Sequence, residues 1–247
     1  MSDDVRQLLL DQVPDEPLNV DLRGILLDKD VEIEPGAADA PGYAVYVPAI
    51  DLACLWGEPE DAVLDALGER LARGTQVVCD EALRERVAAR IEAAHAEPIH
   101  FYALPADADP VLPEPDQDVE LWIVGPKEEA ALDHLPGELR EEMNAALDRT
   151  FVAMTYVDEE AVSFCYPHHE TEKYWDVSVD TLSAYRRQGF AAMAFGAAHA
   201  VLSEHDKEPV WGALESNAAS NGMAMKLGME RIGSRYVLIA GGSSGRS

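Results

Sequence analysis

The chain has little positive charge: Lys and Arg number 19 against 47 Asp and Glu, a formal net charge of -28 over 247 residues. Such an acidic surface repels nucleic-acid phosphates and anionic lipid, so neither is expected as a partner. Cysteine is scarce as well. Cys54, Cys79 and Cys165 lie far apart, form no CxxC pair and sit in apolar or strand-like stretches, which points to free thiols in a reduced, cytoplasmic protein. No apolar run is long enough to cross a bilayer, and the opening Met1-Ser2-Asp3-Asp4-Val5-Arg6 has neither the basic start nor the apolar stretch of an export signal. Aromatics are only 7%, yet hydrophobic residues reach 47%, enough for the core of one large or two modest domains.

Two domains fit the pattern better. From Val31 to Tyr102 the chain reads as strands at 43–47 and 51–56, a helix over 58–72, a strand at 75–79, a helix over 80–94 and a strand at 98–104. Val63, Leu64, Leu67 and Leu71, then Leu83, Val87 and Ile91, recur at helical spacing. Pro105, Pro110, Pro113 and Pro115 then fall among acidic residues, a run that continues neither a helix nor a central strand. The expected division is an N-terminal α/β domain at 1–104, a Pro/Asp-rich linker at 105–117, a C-terminal domain at 118–240 and a flexible Gly/Ser tail at 241–247. In the C-terminal part, strands are expected at 119–124, 151–157, 161–166, 173–182, 210–215 and 231–239. Helices are expected at 127–132, 136–149, 187–202 and 218–227. The alternation implies an α/β (α+β) fold: a mixed, mostly antiparallel sheet flanked by helices.

One junction stands out. The strand carrying Asp176, Ser178 and Asp180 in alternation with Trp175, Val177, Val179 and Thr181 runs into Tyr185-Arg186-Arg187-Gln188-Gly189-Phe190-Ala191, where a helix of small residues begins. The first N–H groups of a helix lack intrahelical partners and sit at the positive end of its dipole, so an anion there satisfies several donors at once. Gly189 permits close approach of the backbone, and Arg186 and Arg187 add charge that the acidic molecule as a whole does not. Further on, Asn217-Ala218-Ala219-Ser220 follows the strand 209–215, with Lys226-Leu227-Gly228-Met229 beyond it. Asn217 and Gly228 also serve as ordinary helix start and stop signals.

Together these two segments resemble the GNAT acyltransferase superfamily, whose pyrophosphate loop reads Q/RxxGxG/A and whose next crossover carries NxxA/S. The resemblance covers about 151–239, more loosely back to 119, and is similar to a bacterial branch related to antibiotic-resistance-type members. It implies acetyl-CoA or another acyl-CoA as co-substrate, its diphosphate held by Arg186, Arg187, Gln188, Gly189, Phe190, Ala191 and Ala192. Its pantetheine would run beside Val179 and Thr181, with Asn217 and Ser220 contacting its far end. The implied activity is acetyl transfer to an amine of a small molecule by direct transfer in a ternary complex. The alternative is a non-catalytic acyl-CoA-binding or interaction protein on the same fold.

The proton-handling residues depart from the family. Ala224 occupies the position where many members carry a tyrosine that protonates the thiolate, leaving Ser220 as the nearest hydroxyl on that helix. Period-two counting back from Thr181 puts Val177 and Trp175 where relatives carry a base, and neither accepts a proton. Asp176 and Asp180 fall on the opposite face. Glu172 and Glu215 remain as candidate bases, and Tyr174 and Trp175 as candidate acceptor contacts. Cys165, His168 and His169 have no ligand-like spacing, so no metal is expected. The turn Trp56-Gly57-Glu58-Pro59-Glu60-Asp61 would repel a diphosphate, which makes the N-terminal domain a degenerate GNAT-like half or a wall or interface, with a homodimer compatible with either.

Overall fold

The computed structural model describes residues 3–28, 34–35, 42–72, 74–114, 119–128 and 130–241; residues 115–118 of the linker and 242–247 of the tail lie outside the described residues. The elements are α1 (Asp3–Gln12), α2 (Val20–Leu27), β1 (Glu34–Pro35), β2 (Gly42–Val47), β3 (Leu52–Gly57), α3 (Asp61–Arg70), β4 (Gln76–Cys79), α4 (Glu81–Arg90) and β5 (Ala93–Ala103). They continue with β6 (Glu120–Val124), α5 (Gly137–Arg149), β7 (Val152–Val157), β8 (Glu160–Glu170), β9 (Tyr174–Thr181), α6 (Phe190–Ser203), β10 (Glu208–Leu214), α7 (Ala218–Lys226) and β11 (Glu230–Ala240). Two compact units result: Met1–Phe101 with Ala213–Asn221 and Arg231–Ser247, and Tyr102–Gly212 with Gly222–Glu230.

In the first unit the strand order is β1-β2-β3-β4-β11-β5. β3 and β4 are parallel, as a crossover through α3 requires, while β1–β2, β2–β3 and β4–β11 are antiparallel. The strands are apolar on both sides because both faces are covered. Ala53, Leu55, Val77, Cys79 and Leu238 pack with Val63, Leu64, Leu67, Leu83 and Val87 of α3 and α4. Tyr43, Val45, Cys54, Val78 and Val237 pack with Leu9, Leu22, Ile25 and Leu26 of α1 and α2. Within the second face lies Arg235, 1% exposed. Its guanidinium donates to Asp21 Oδ1 at 3.1 Å and Leu55 O at 2.9 Å, with Asp80 Oδ1 3.3 Å away, tying β11 to α2, β3 and the β4–α4 turn.

The second unit repeats the logic with strand order β10-β9-β8-β7-β6. β9 and β10 are parallel and joined by α6; β6–β7, β7–β8 and β8–β9 are antiparallel. On one face, α5 supplies Met143, Ala146 and Leu147 against Val152, Met154 and Phe164. On the other, Phe190 and Met193 of α6 meet Val162, and Phe195 stacks on Trp175 with ring centroids 5.9 Å apart. The mixed, mostly antiparallel, helix-flanked fold class is the one the sequence implies.

Three local expectations change. Residues before Val31 form α1 and α2, whose few apolar residues acquire a partner face only against the sheet. The helix expected at 127–132 is a turn: Lys127 has φ 65, and Gly125 N–H bonds the Glu128 carboxylate at 3.0 Å. The helix expected over 80–94 stops at Arg90, because Glu92 turns to φ 47 and β5 begins at Ala93.

Candidate functional site

The hydrogen-bonded ladder between β9 and β10 covers only Tyr174 to Asp176 against Glu208 to Val210. Beyond Asp176, β9 runs on to Thr181 held by β8 alone, with Cys165↔Val179 and Ser163↔Thr181 in register. The two strands therefore part company, and the β9 edge from Val177 to Thr181 faces away from β8 with no β10 ladder to satisfy it. Thr181 is fixed at the end of this edge: its hydroxyl lies 2.7 Å from Ser163 Oγ, and its carbonyl accepts from Arg186 Nε at 3.1 Å.

The chain then makes one 3-10 turn, Ser183–Tyr185, and enters α6 through two positive-φ residues, Arg187 (φ 64) and Gly189 (φ 91). Gly189 caps the helix without a side-chain bond. Met193 N–H is bonded to Gly189 O at 3.1 Å, so the N–H groups of Phe190, Ala191 and Ala192 precede the first helical carbonyl partner. No acidic residue occupies the first turn of α6. Arg186, Arg187 and Gln188 are exposed, and Arg187 has no hydrogen bond or ion pair with another described residue. Left-handed backbone, open N–H groups and a free guanidinium make a concave cationic nest.

Part of the expected linker packs on this helix. A Cβ on Gly189 would lie 3.3 Å from Pro113 Cγ, and one on Gly196 would lie 2.5 Å from Leu112 Cδ1. Val111 N–H bonds Leu227 O at 2.9 Å beside Gly228 (φ 86). The segment 111–113 is thus a strap seated where α6 and the end of α7 carry glycine.

The other expected site residues fall as follows. Val179 and Thr181 are half-buried. Tyr174 is half-buried, whereas Trp175 is fully enclosed, and its indole N–H has no hydrogen-bond partner. Glu172 is exposed on the β8–β9 turn. In the first unit, Asn217 Oδ1 accepts Ser220 N–H at 3.1 Å, the bond of a helix N-cap. Asn221, which the sequence reading passes over, fixes the same turn by donating to Leu214 O and Asn217 O at 2.7 and 2.8 Å. Glu215 is presented by this turn, with Oε1 3.4 Å from His100 Nε2. His100 is a site feature the sequence does not flag, because its partners lie far along the chain.

The second unit also carries a polar group on the α5 face of β9. Tyr166 donates to Glu142 Oε1 at 2.6 Å, and burial, then the Glu142 charge, raise the carboxyl of Asp180. His168 and His169 meet edge to face at 4.5 Å. Burial lowers both, His169 to about 3, with His168 and Arg149 adding to the effect. Cys165 is a buried free thiol. Among the described residues no group of three or more His, Cys, Asp or Glu is placed to hold a metal, and no helix is long and apolar enough to cross a membrane.

No family model matches the sequence, and no curated protein does. Solved structures do match. A GCN5-related N-acetyltransferase-like protein from Streptococcus suis superposes with a TM-score of 0.65 at 16% identity, over 96% of this chain and 98% of that one. A GNAT-family acetyltransferase from Colwellia psychrerythraea gives 0.61 at 12% identity over 98% of both. A tandem GNAT protein from the clavulanic acid biosynthesis pathway gives 0.59 at 14% identity, over 98% of this chain and 97% of that one. With its parted parallel strands and glycine-capped crossover helix, the chain has the fold of the GCN5-related N-acetyltransferases.

Proposed function

We propose that the protein is an acyl-CoA-dependent N-acetyltransferase that moves an acetyl group to an amine of a small molecule by direct transfer. The carrying observation is the β9–β10 ladder that stops at Asp176 and Val210 and leads into an unoccupied set of helix N–H donors beside the unpaired Arg187. The residue types fit a diphosphate: Gly189 gives the backbone access, Phe190, Ala191 and Ala192 give N–H donors, and Arg186 and Arg187 give charge. The free β9 edge at Val179 and Thr181 suits an extended amide-bearing arm such as pantetheine. Acyl-CoA supplies an activated acyl carbon when bound; the chain supplies the hold on its anion and the orientation of its arm. The whole-length likeness to a tandem GNAT protein supports reading the first unit as a second GNAT-like half.

One observation favours a second reading, an acyl-CoA-binding protein without catalysis. Ala224, where the family pattern has a tyrosine, is fully buried and offers no proton. Calorimetric titration with acetyl-CoA, run beside thiol release over a panel of primary amines, tests both. Binding with turnover is the expected result; binding without turnover favours the second reading, and no binding overturns both.

A further inference from the structure

The geometry points to Glu215 as the proton acceptor for the incoming ammonium, with His100 and Ser234 as its positioning residues; this rests on the acyl-transfer reading above. The turn after β10 is built to hold Glu215 in place. Its own N–H bonds Pro98 O at 2.8 Å, and the next N–H, of Ser216, bonds Glu97 Oε1 at 2.6 Å. Asn217 and Asn221 close the turn on its other side. A carboxylate on an ordinary solvated loop has no such scaffold; this one is 63% exposed yet faces a histidine whose side chain is 9% exposed.

Donor and acceptor accounting assigns a direction to the whole chain of contacts. Arg231 Nη2 donates to Ser234 Oγ at 2.6 Å. A hydroxyl already accepting from a guanidinium turns its own proton outward, and His100 Nδ1 lies 3.0 Å away to accept it. That leaves the imidazole proton on Nε2, 3.4 Å from Glu215 Oε1. Every link is complementary with a neutral imidazole, and the carboxylate keeps a second oxygen for substrate. His95 with Glu97 on β5, Tyr236 on β11, and Glu81 with Arg84 on α4 are the remaining charged or titratable groups around it.

The chemistry follows. A primary ammonium gives one proton to Glu215, the freed nitrogen lone pair forms the C–N bond at the acyl carbon, and the C–S bond breaks. The departing sulfur takes up a second proton from that nitrogen, and Glu215 returns its own to water. Acceptors in this class are cations before reaction, in keeping with a carboxylate that both attracts and deprotonates them.

The test compares an alkyl primary amine, protonated at neutral pH, with hydroxylamine, which is not. For Glu215→Gln we expect kcat/KM with the alkyl amine to fall by about 100-fold, recovering as pH rises, while the rate with hydroxylamine and the affinity for CoA stay near wild type. His100→Leu should lose about tenfold with the alkyl amine, and His100→Gln, which restores a donor to Glu215, should regain most of it. Nitrogen NMR of His100 should report the Nε2–H tautomer without any turnover. Equal losses with both amines, or the Nδ1–H tautomer, overturn the assignment alone. Turnover of neither amine by the unsubstituted chain overturns the acyl-transfer reading and this assignment with it.

Discussion

The molecule contains the same crossover twice, and the two copies use charge in opposite ways. In both, a parallel ladder stops early: β3–β4 at Cys54 and Val78, β9–β10 at Asp176 and Val210. In both, a positive-φ glycine precedes the crossover helix, Gly57 at φ 68 and Gly189 at φ 91. In the first crossover, however, Asp61 opens α3 and is gripped by Arg86 and Arg90 of α4 at 2.7 and 2.8 Å. Those arginines, lowering the Asp61 carboxyl, turn the helix N-terminus into a finished structural joint. Glu58 and Pro59 close over Gly42 so tightly that a Cβ there would lie 2.3 Å from Pro59 N. In the second crossover no acid fills the helix start, and Arg187 points to solvent.

The lesson is that the arginines of the first unit face inward. Arg6 and Arg23 donate to backbone carbonyls, Arg86 and Arg90 hold α3, and Arg235 is buried. With only 19 basic residues against 47 acidic ones, a pair left exposed on one turn marks the place where an anion is received.

Breaking the second crossover should have the largest effect. Gly189→Asp puts a side chain on a left-handed backbone, against Pro113, and a negative charge among the donors. CoA affinity should drop by at least about 100-fold, as expected when two charge-assisted bonds are lost at about 1.5–3 kcal/mol each. Arg187→Glu should cost about tenfold or more, and Asp61→Ala in the matching turn should leave affinity unchanged; calorimetry reads all three. A comparable loss from Asp61→Ala would erase the contrast.

Next comes the inward charge of the first unit. Arg235→Met leaves Asp21 and Asp80 without their cation and should destabilise the chain by about 3–5 kcal/mol, read from denaturant unfolding. If the variant unfolded at the wild-type midpoint, the buried guanidinium would be dispensable packing.

The second unit should instead be sensitive to acid. His169 titrates near 6.5 when unfolded and about 3 when folded, so folded and unfolded states bind the same protons above about 6.5. Below that the unfolded state takes up a proton first, and stability falls with pH until about 3. His168, lowered in the same direction, adds to the slope. Thermal melts of wild type and His169→Gln across this window should converge as pH falls, because the variant lacks the titrating group. Parallel curves would rule out the buried neutral imidazole.

The smallest effect is expected at the strap. Gly196→Ala displaces only the end of the Leu112 side chain while gaining helix propensity of about 1 kcal/mol, so net stability should barely move. Chymotrypsin should cut after Leu112 faster in the variant. Unchanged cleavage would mean that Leu112 finds another seat without releasing the strap.

Much of this was legible in the residues. The period-two run from Trp175 to Thr181, followed by two arginines and a glycine, carries its geometry locally: alternation sets the faces, Gly189 permits its φ, and a helix start has open donors whatever surrounds it. The expected strands and the crossover helices appear near their expected places for the same reason. α1 and α2 were not legible, since their stripes are too short to declare themselves without the sheet they cover. Nor was the turn at 127–132, where a side-chain bond from Glu128 and a positive φ override a helix-compatible composition. The strand from Arg231 onward reads as the end of the C-terminal domain but pairs with β4 of the first unit, Tyr236 against Cys79.

The sequence by itself determined the local devices: the acidic surface, the capped crossover helices, the cationic nest at Arg186 to Ala192 and the N-cap at Asn217. These depend on neighbours within a turn or a strand. Tertiary structure decided which nest stays open, by bringing Arg86 and Arg90 onto Asp61 and nothing onto Arg187. It also decided which carboxylate gains a histidine, by joining His100, Glu215 and Ser234 from three distant segments. Such contacts are set by strand order and register, which no local pattern of residues encodes.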